Sequence, residues 1–334
     1  MGFYTDKKIL ITGGTGTIGQ QLVSRILQDK PAVIRIFSRD EYKQFEMQQS
    51  LFEHNKTLRY LIGDVRDAER LTRAMEGIDF VFHLAAMKHV PACEYNPFEA
   101  VQTNVIGTQN VIQAAVTNRV KKVLFTSSDK AISPTNTYGA TKLMAERMIS
   151  AAEYQKGPKS TIFSSVRFGN VMGSRGSVIP LFKRQILEQG YINVTDMKMK
   201  RYMMTASEAI TLMLKANETA QGGELFVMKM PVIQLSDLAM VMIEQVKGKY
   251  ELNCNVEIKE IGLRPGEKMY EELMSDDEML NSLETPDIYI IPSQFNKKRQ
   301  YEGAVRTNKK PSLSTDHLIS SNTLANWLLA EELI

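Results

Sequence analysis

Cysteine is nearly absent: Cys93 and Cys254 are the only two in 334 residues. Two thiols so far apart build neither a disulfide framework nor a paired metal knuckle, and no other metal-ligand set stands out, so they read as thiols of a reducing cytosol. Long apolar runs are missing as well, and the start, MGFYTDKKILITGG, has no apolar leader core. Gly2 could head a lipidation signal, but Asp6 stands where such a signal needs Ser or Thr. The expectation is a soluble cytoplasmic protein with no membrane partner. Excess charge of one sign is lacking too: 41 basic residues against 38 acidic give a net +3, scattered along the chain, which argues against nucleic acid as a partner. No repeat, low-complexity tract or long linker occurs. What remains, 43% hydrophobic and 24% charged residues, is the balance of a folded protein with one large or two ordinary cores.

The first two-thirds alternates short β-branched runs with helical periods, the pattern of parallel strands joined by crossover helices. Strands are predicted at 7–12, 32–37, 58–63, 79–84, 121–126 and 161–168, with helices at 17–29, 41–53, 67–76, 98–118 and 137–155, Asp67 capping the third. Six such strands make a doubly wound parallel sheet. Beyond about residue 170 a Gly/Ser-rich loop, GNVMGSRGSVIP, introduces shorter strands and helices without the βα period. The division expected is an α/β dinucleotide-binding domain over 1–170 carrying the catalytic residues, and a smaller α/β substrate lobe over 171–334 that can return elements to the first. A cleft between the lobes would hold substrate.

After the first strand, Gly13, Gly16 and Gly19 stand at the mouth of a helix in the spacing G-x-x-G-x-x-G. The first permits a tight turn, the second lets backbone approach a pyrophosphate, and the third allows close helix packing, as in the Rossmann arrangement. The second strand ends in Ser38 and Arg39, a hydroxyl and a guanidinium suited to a ribose 2′-phosphate, so NADP is favoured; Asp40 nearby keeps NAD as the alternative. Asp64 and Val65 follow the third strand at the place of an adenine edge. HLAAMKH, 83–89, follows the fourth with small residues that let the chain pass close to a cofactor, and Lys88 faces the cleft.

The fifth strand runs into Ser127 and Ser128, and Tyr138 and Lys142 follow at i, i+4, on one face of the next helix. An ammonium near a phenol favours phenolate, so the pair suits removal of a hydroxyl proton while hydride leaves the same carbon. Asp129 and Lys130, eight to nine residues before the tyrosine, have no role in that step alone.

Taken together, the glycine triplet, SRDE, GDVRD, DKAISPTNTYGATK, RFGNVMGSRGSVIPLF and GLRPGEKMYEEL resemble the extended short-chain dehydrogenase/reductases. More narrowly, over roughly 7–295 they are similar to the UDP-N-acetylglucosamine 4,6-dehydratases that invert carbon 5 on routes to surface sugars such as pseudaminic acid. The resemblance implies that a carbon 4 ketone acidifies the carbon 5 hydrogen, with Lys130 as base and Asp129 as the acid for the carbon 6 hydroxyl, beside Ser128. The hydride then returns to carbon 6, with no net redox change. Both groups would need shifted pKa values, the lysine downward and the aspartate upward. The resemblance also implies Thr17, Ile18, Lys43, Ala85, Ala86, Lys88 and Asn104 on the cofactor. It puts Asn170, Ser177, Val178, Pro180, Arg201, Arg264, Glu267 and again Lys88 on a UDP-sugar, and a homo-oligomer, dimer or hexamer.

KRYMMT and SSDKA depart from the TRFWMT or TRFLMT and STDKA of many relatives, leaving the sugar nucleotide open. Other readings are dehydration with retention, release of a 5,6-ene, a GDP-linked substrate, a 4-epimerase or reductase with no use for Asp129 and Lys130, and a nucleotide-sensing module.

Overall fold

A strand buried on both faces must be apolar at nearly every position, and β5 (Lys122–Ser128), at the centre of the sheet, is buried from Val123 to its end. In the computed structural model, which describes residues 2–264, 266–295, 299–313 and 318–334, β5 lies between β4 (Phe80–His83) and β6 (Ile162–Phe168). Beyond β4 come β1 (Lys8–Thr12), β2 (Val33–Ser38) and β3 (Leu58–Ile62), all parallel. Along β1 the pleat sends Ile9 and Ile11 into one core, with Leu22, Met213 and Phe226, and Leu10 into the other, with Val81, Val111 and Ile149.

The sheet is larger than the six strands read from the sequence. After β7 (Asn170–Val171), β8 (Tyr191–Val194) and β9 (Lys200–Met204), the chain returns to it with β10 (Leu225–Met228), parallel to β6. β11 (Val232–Gln234) and β12 (Glu257–Glu260) follow in the second lobe. Then β13 (Leu283–Glu284), β14 (Ile288–Ile291) and β15 (Val305–Arg306) add an antiparallel edge, giving the order β3-β2-β1-β4-β5-β6-β10-β14-β13-β15. These additions are two to four residues long, too short for any period to register.

The helices of the first part are α1 (Thr17–Leu27), α2 (Glu41–Ser50), α3 (Ala68–Ala74), α4 (Val90–Tyr95), α5 (Pro97–Val101), α6 (Gly107–Thr117) and α7 (Thr137–Gln155). Asp67 caps α3, accepting from Arg70 N at 2.9 Å, as expected. The single helix expected over 98–118 is interrupted by a π-helical turn, Gln102–Ile106, which delivers Asn104 inward.

In the second lobe β9 pairs with β7 and β11, and β8 with β12. Its helices are α8 (Val178–Gln189), α9 (Ala206–Thr219), α10 (Leu235–Lys249), α11 (Asp276–Leu280) and α12 (Ser321–Ala330). Met172, Phe182, Met199, Met203, Met242, Leu324 and Leu328 share its core, so these methionines fill space. α9 instead packs back on α1 and the sheet. Among the described residues no helix is long and apolar enough to cross a membrane.

Candidate active site

The strand order reverses at β1 and β4, and in open α/β sheets ligands settle at the carboxyl ends of strands beside such a reversal. There Gly13 has φ +70°, and a Cβ on it would come within 2.8 Å of Ala85 N. A Cβ on Gly19 would reach the Gly13 carbonyl at 2.6 Å, so α1 lies tight against the loop, while one on Gly16 would meet only that carbonyl at 3.2 Å. Gly16 caps α1 without a side chain, which leaves the amides of Thr17 and Ile18 at the positive end of the helix without a capping partner. The loop thus fits a pyrophosphate.

The other nucleotide-side residues are distributed as follows. Ser38 receives Gln44 Nε2 at 3.1 Å, and Asp40 is engaged as the cap of α2 and as the partner of Lys43 at 2.5 Å. Arg39 is exposed, 3.7 Å from Asp64, whose main partner is Arg66 at 2.8 Å. Val65 lies buried beneath Gly107. Asn104 is a correction: it is buried and its amide is spent on Met87 N (2.8 Å), Met87 O (2.9 Å) and Thr141 Oγ1 (2.9 Å), so it shapes the loop after β4 rather than offering a free group to a cofactor.

Between the sheet and the second lobe lies a cavity of about 450 Å³, lined by Ile18, Ala86, Lys88, Ser127, Ser128, Asp129, Lys130, Tyr138 and Lys142 from the first part. Asn170, Ser177, Val178, Arg201, Arg264 and Glu267 line it from the other side. Pro180 does not line it. Third in α8, it is turned to solvent, at a position where its missing N–H leaves no bond unmade.

Lys142 Nζ donates to Thr126 O at 2.8 Å and lies 4.6 Å from the centre of the Phe125 ring. Burial pulls it down to about 8, with Glu146 opposing. Tyr138 is pushed up to about 12 by burial, and the cation that opposes this is Lys130 rather than Lys142. The Lys142 ammonium is itself directed at a carbonyl and a ring face.

Asp129, buried, accepts from Ser128 Oγ at 2.7 Å and from Lys130 Nζ at 3.1 and 3.3 Å. Burial alone would raise its carboxyl, but the Lys130 ammonium and the Ser128 hydroxyl outweigh burial and hold it below the ordinary range. Lys130 is the mirror case: burial would lower it, yet Asp129 and Glu271 hold it above the ordinary lysine value. Both shifts run opposite to those an acid aspartate and a basic lysine need, because the two groups neutralise each other as an ion pair.

A third group, a carboxyl from a residue that the sequence does not single out, also bears on the pair. Glu271, in the block GLRPGEKMYEEL but four residues beyond Glu267, reaches Lys130 Nζ at 3.2 Å and Arg201 Nε at 3.3 Å through Oε1. Its Oε2 accepts from Asn170 Nδ2 at 3.1 Å. Burial and Asp129 push it up to about 7. Its segment is stitched down by Lys268 Nζ on Ile132 O (3.0 Å), Asn136 Nδ2 on Gly266 O (3.0 Å) and Arg201 on the carbonyls of Lys268 and Met269 (2.7 and 3.0 Å). A lone glutamate in a charged run carries no signal of its own; its distance from Lys130 is purely tertiary.

Residues 9–293 match the family model described as "Polysaccharide biosynthesis protein". The chain belongs to this family. It is 45% identical to the UDP-N-acetylglucosamine 4,6-dehydratase (inverting) of Campylobacter jejuni subsp. jejuni serotype O:23/36 (strain 81-176), over 99% of this chain and 97% of that protein. It is also 39% identical to the UDP-glucose 4-epimerase of Rickettsia conorii, over 99% and 96%. Among solved structures, Pen from Bacillus thuringiensis is 57% identical, with a TM-score of 0.92 covering 100% of both chains. The chain is thus an extended short-chain dehydrogenase/reductase, and the relatives it resembles are named for dehydration and for epimerisation.

Proposed function

We propose that this chain is a nucleotide-sugar 4,6-dehydratase, acting on UDP-N-acetylglucosamine with inversion at carbon 5, for surface-glycan or pseudaminic acid-type sugar synthesis. The observation that carries this reading is the pairing of buried Asp129 with half-buried Lys130, 3.1 Å apart, in the same cavity wall as Tyr138 and Lys142. Two hydride-shuttle residues suffice to oxidise carbon 4; a second acid–base pair is needed only if a carbon–oxygen bond must also break. Tyr138 takes the carbon 4 hydroxyl proton. Lys130, as the free amine, takes the carbon 5 hydrogen, and Asp129, as the acid, gives its proton to the departing carbon 6 hydroxyl, which leaves as water. A bound nicotinamide cofactor would accept hydride from carbon 4 and return it to carbon 6.

NADP is the cofactor favoured, supported by the exposed Arg39 and by the diversion of Asp40 to α2 and Lys43, which removes the carboxylate a ribose 2′-hydroxyl would want. Gly13, Gly16, Gly19, Thr17 and Ile18 would hold its pyrophosphate. Asn170, Ser177, Val178, Arg201, Arg264 and Glu267 are proposed on the UDP-sugar. A cytoplasmic homo-oligomer, dimer or hexamer, is expected, and the apolar side chains exposed on α4, α5 and α7, Tyr95, Phe98 and Met144, support self-association.

A second reading, 4-epimerisation, is favoured by the 39% identity to a protein of that name. Incubation with UDP-N-acetylglucosamine in deuterated water separates the two. Dehydration gives a 6-methyl signal with deuterium at carbon 5, and the ring couplings report inversion or retention. A 4-epimer without solvent label would overturn the dehydratase reading.

A further inference from the structure

We infer that Glu271 is a positioning residue that links capture of the substrate's diphosphate by Arg201 to the charge state of the Asp129–Lys130 pair. The inference rests on the dehydratase reading and adds to it a third carboxyl and a sequence of events. Its basis is geometric: one oxygen, Oε1, is shared by Lys130 Nζ at 3.2 Å and Arg201 Nε at 3.3 Å, inside the cavity. The charged and titratable groups around that carboxyl are Asp129 and Lys130 from the turn after β5, Arg201 and Tyr202 from β9, and Glu267 from its own segment, 3.6 Å from Arg201. Asn170 of β7 holds the other oxygen.

With two cations at hand, Glu271 can stay ionised beside Asp129. A diphosphate brings negative charge to Arg201 and cancels much of its pull on the shared oxygen, so Glu271 becomes more basic and takes a proton from solvent. Lys130 then faces one carboxylate instead of two. The ammonium can pass a proton to Asp129 across their hydrogen bond, breaking N–H and forming O–H, with no other group changed. That transfer yields the free amine and the carboxylic acid that elimination requires, and it does so only when substrate is present. Burial already brings Glu271 up to about 7, so a modest loss of positive charge suffices.

The test is binding of UDP, followed by calorimetry at pH 7 in buffers of different ionisation enthalpy, for the wild-type chain and for Glu271→Gln. The wild type should take up a substantial fraction of a proton beyond that taken up by the variant, while both bind UDP. Equal uptake in the two would overturn the inference, as would a folded variant that no longer binds UDP. If the variant does not fold, the wild-type pH profiles decide: the limb near 7 in kcat/KM, which reports free enzyme, should lie at higher pH in kcat, which reports the complex. Coincident limbs would refute the coupling. Failure of wild type to bind UDP, or to label carbon 5 from solvent, would instead refute the dehydratase reading.

Discussion

Glu146 and Arg167 meet in a bidentate ion pair, Oε1 to Nε at 3.0 Å and Oε2 to Nη2 at 2.7 Å, one helical turn beyond Lys142 on α7. The guanidinium is wholly buried, and its other edge takes Glu278 of α11 at 2.9 and 3.0 Å and the Leu273 carbonyl at 3.0 Å. One cation thus ties the catalytic helix, β6 and the segment that carries Glu271 into a single unit. Burial would raise the Glu278 carboxyl, but the bonds from Arg167 outweigh it and keep the group below the ordinary carboxylate value.

Replacing Arg167 by Met leaves one buried carboxylate, Glu146, and one half-buried, Glu278, facing an apolar stem. Breaking a buried pair in this way costs about 3–5 kcal/mol, and urea denaturation should show that loss at pH 7. Because Glu278 is held below its unfolded value, its share is present above that value and disappears as pH falls through the folded one, so the gap between wild type and variant should narrow in acid. A loss under about 1 kcal/mol would mean the charges are satisfied by water instead.

Lys142 has the opposite sign. Its folded pKa, about 8, lies below the ordinary lysine value of 10.5, so between those limits the unfolded chain holds more protons than the folded one and stability rises with pH. The burden is full below about 8. Lys142→Met should therefore stabilise the chain at pH 7 by about 1–2 kcal/mol once the lost bond to Thr126 is set against it, and the advantage should fade toward pH 10.5. Activity should fall by roughly 10²–10⁴. A variant less stable than wild type at pH 7 would show that the carbonyl and ring contacts outweigh desolvation.

The contrast between these residues shows what the sequence could and could not carry. Strands β1 to β6 were legible because each is four to seven residues long with apolar, largely β-branched or aromatic positions dense enough to register, and Tyr138 and Lys142 because a helix fixes their spacing. Gly13 and Gly19 betray a close approach in any sequence. Glu271, Arg167 and Asn104 were not legible in their roles, since what each does depends on partners 141, 111 and 17 residues away in sequence. The two-residue strands β13 and β15 were silent for a different reason: β13 is held by pairing to β14 and β15 by pairing to β13, with no pattern of their own.

Arg39 tests cofactor choice. Its guanidinium is exposed and only 3.7 Å from Asp64, so Arg39→Ala should leave folding unchanged within about 0.5 kcal/mol. A charge-assisted bond to a 2′-phosphate is worth about 1.5–3 kcal/mol, which predicts roughly a ten- to hundredfold weaker NADP affinity, measured by quenching or calorimetry, with NAD affinity nearly unaltered. Equal weakening of both cofactors would remove Arg39 from a 2′-phosphate role.

Gly139 sets the distance between α7 and the turn that bears Asp129 and Lys130. A Cβ there would lie 2.1 Å from the Lys130 carbonyl oxygen and 3.0 Å from Pro134 Cβ, and since the first obstacle is backbone, no side-chain rotation relieves it. Gly139→Ala must push the turn away from the helix, at a cost of about 1–3 kcal/mol. The displaced Lys130 should lower kcat more than it raises KM, because the diphosphate side of the cavity is untouched. Gly248, near the end of α10, is the control: a Cβ there meets nothing within 4 Å, so Gly248→Ala should stabilise the chain by about 0.5–1 kcal/mol with kcat unchanged. If Gly139→Ala matched the control in both stability and kcat, the close contact would have no part in holding the acid–base pair.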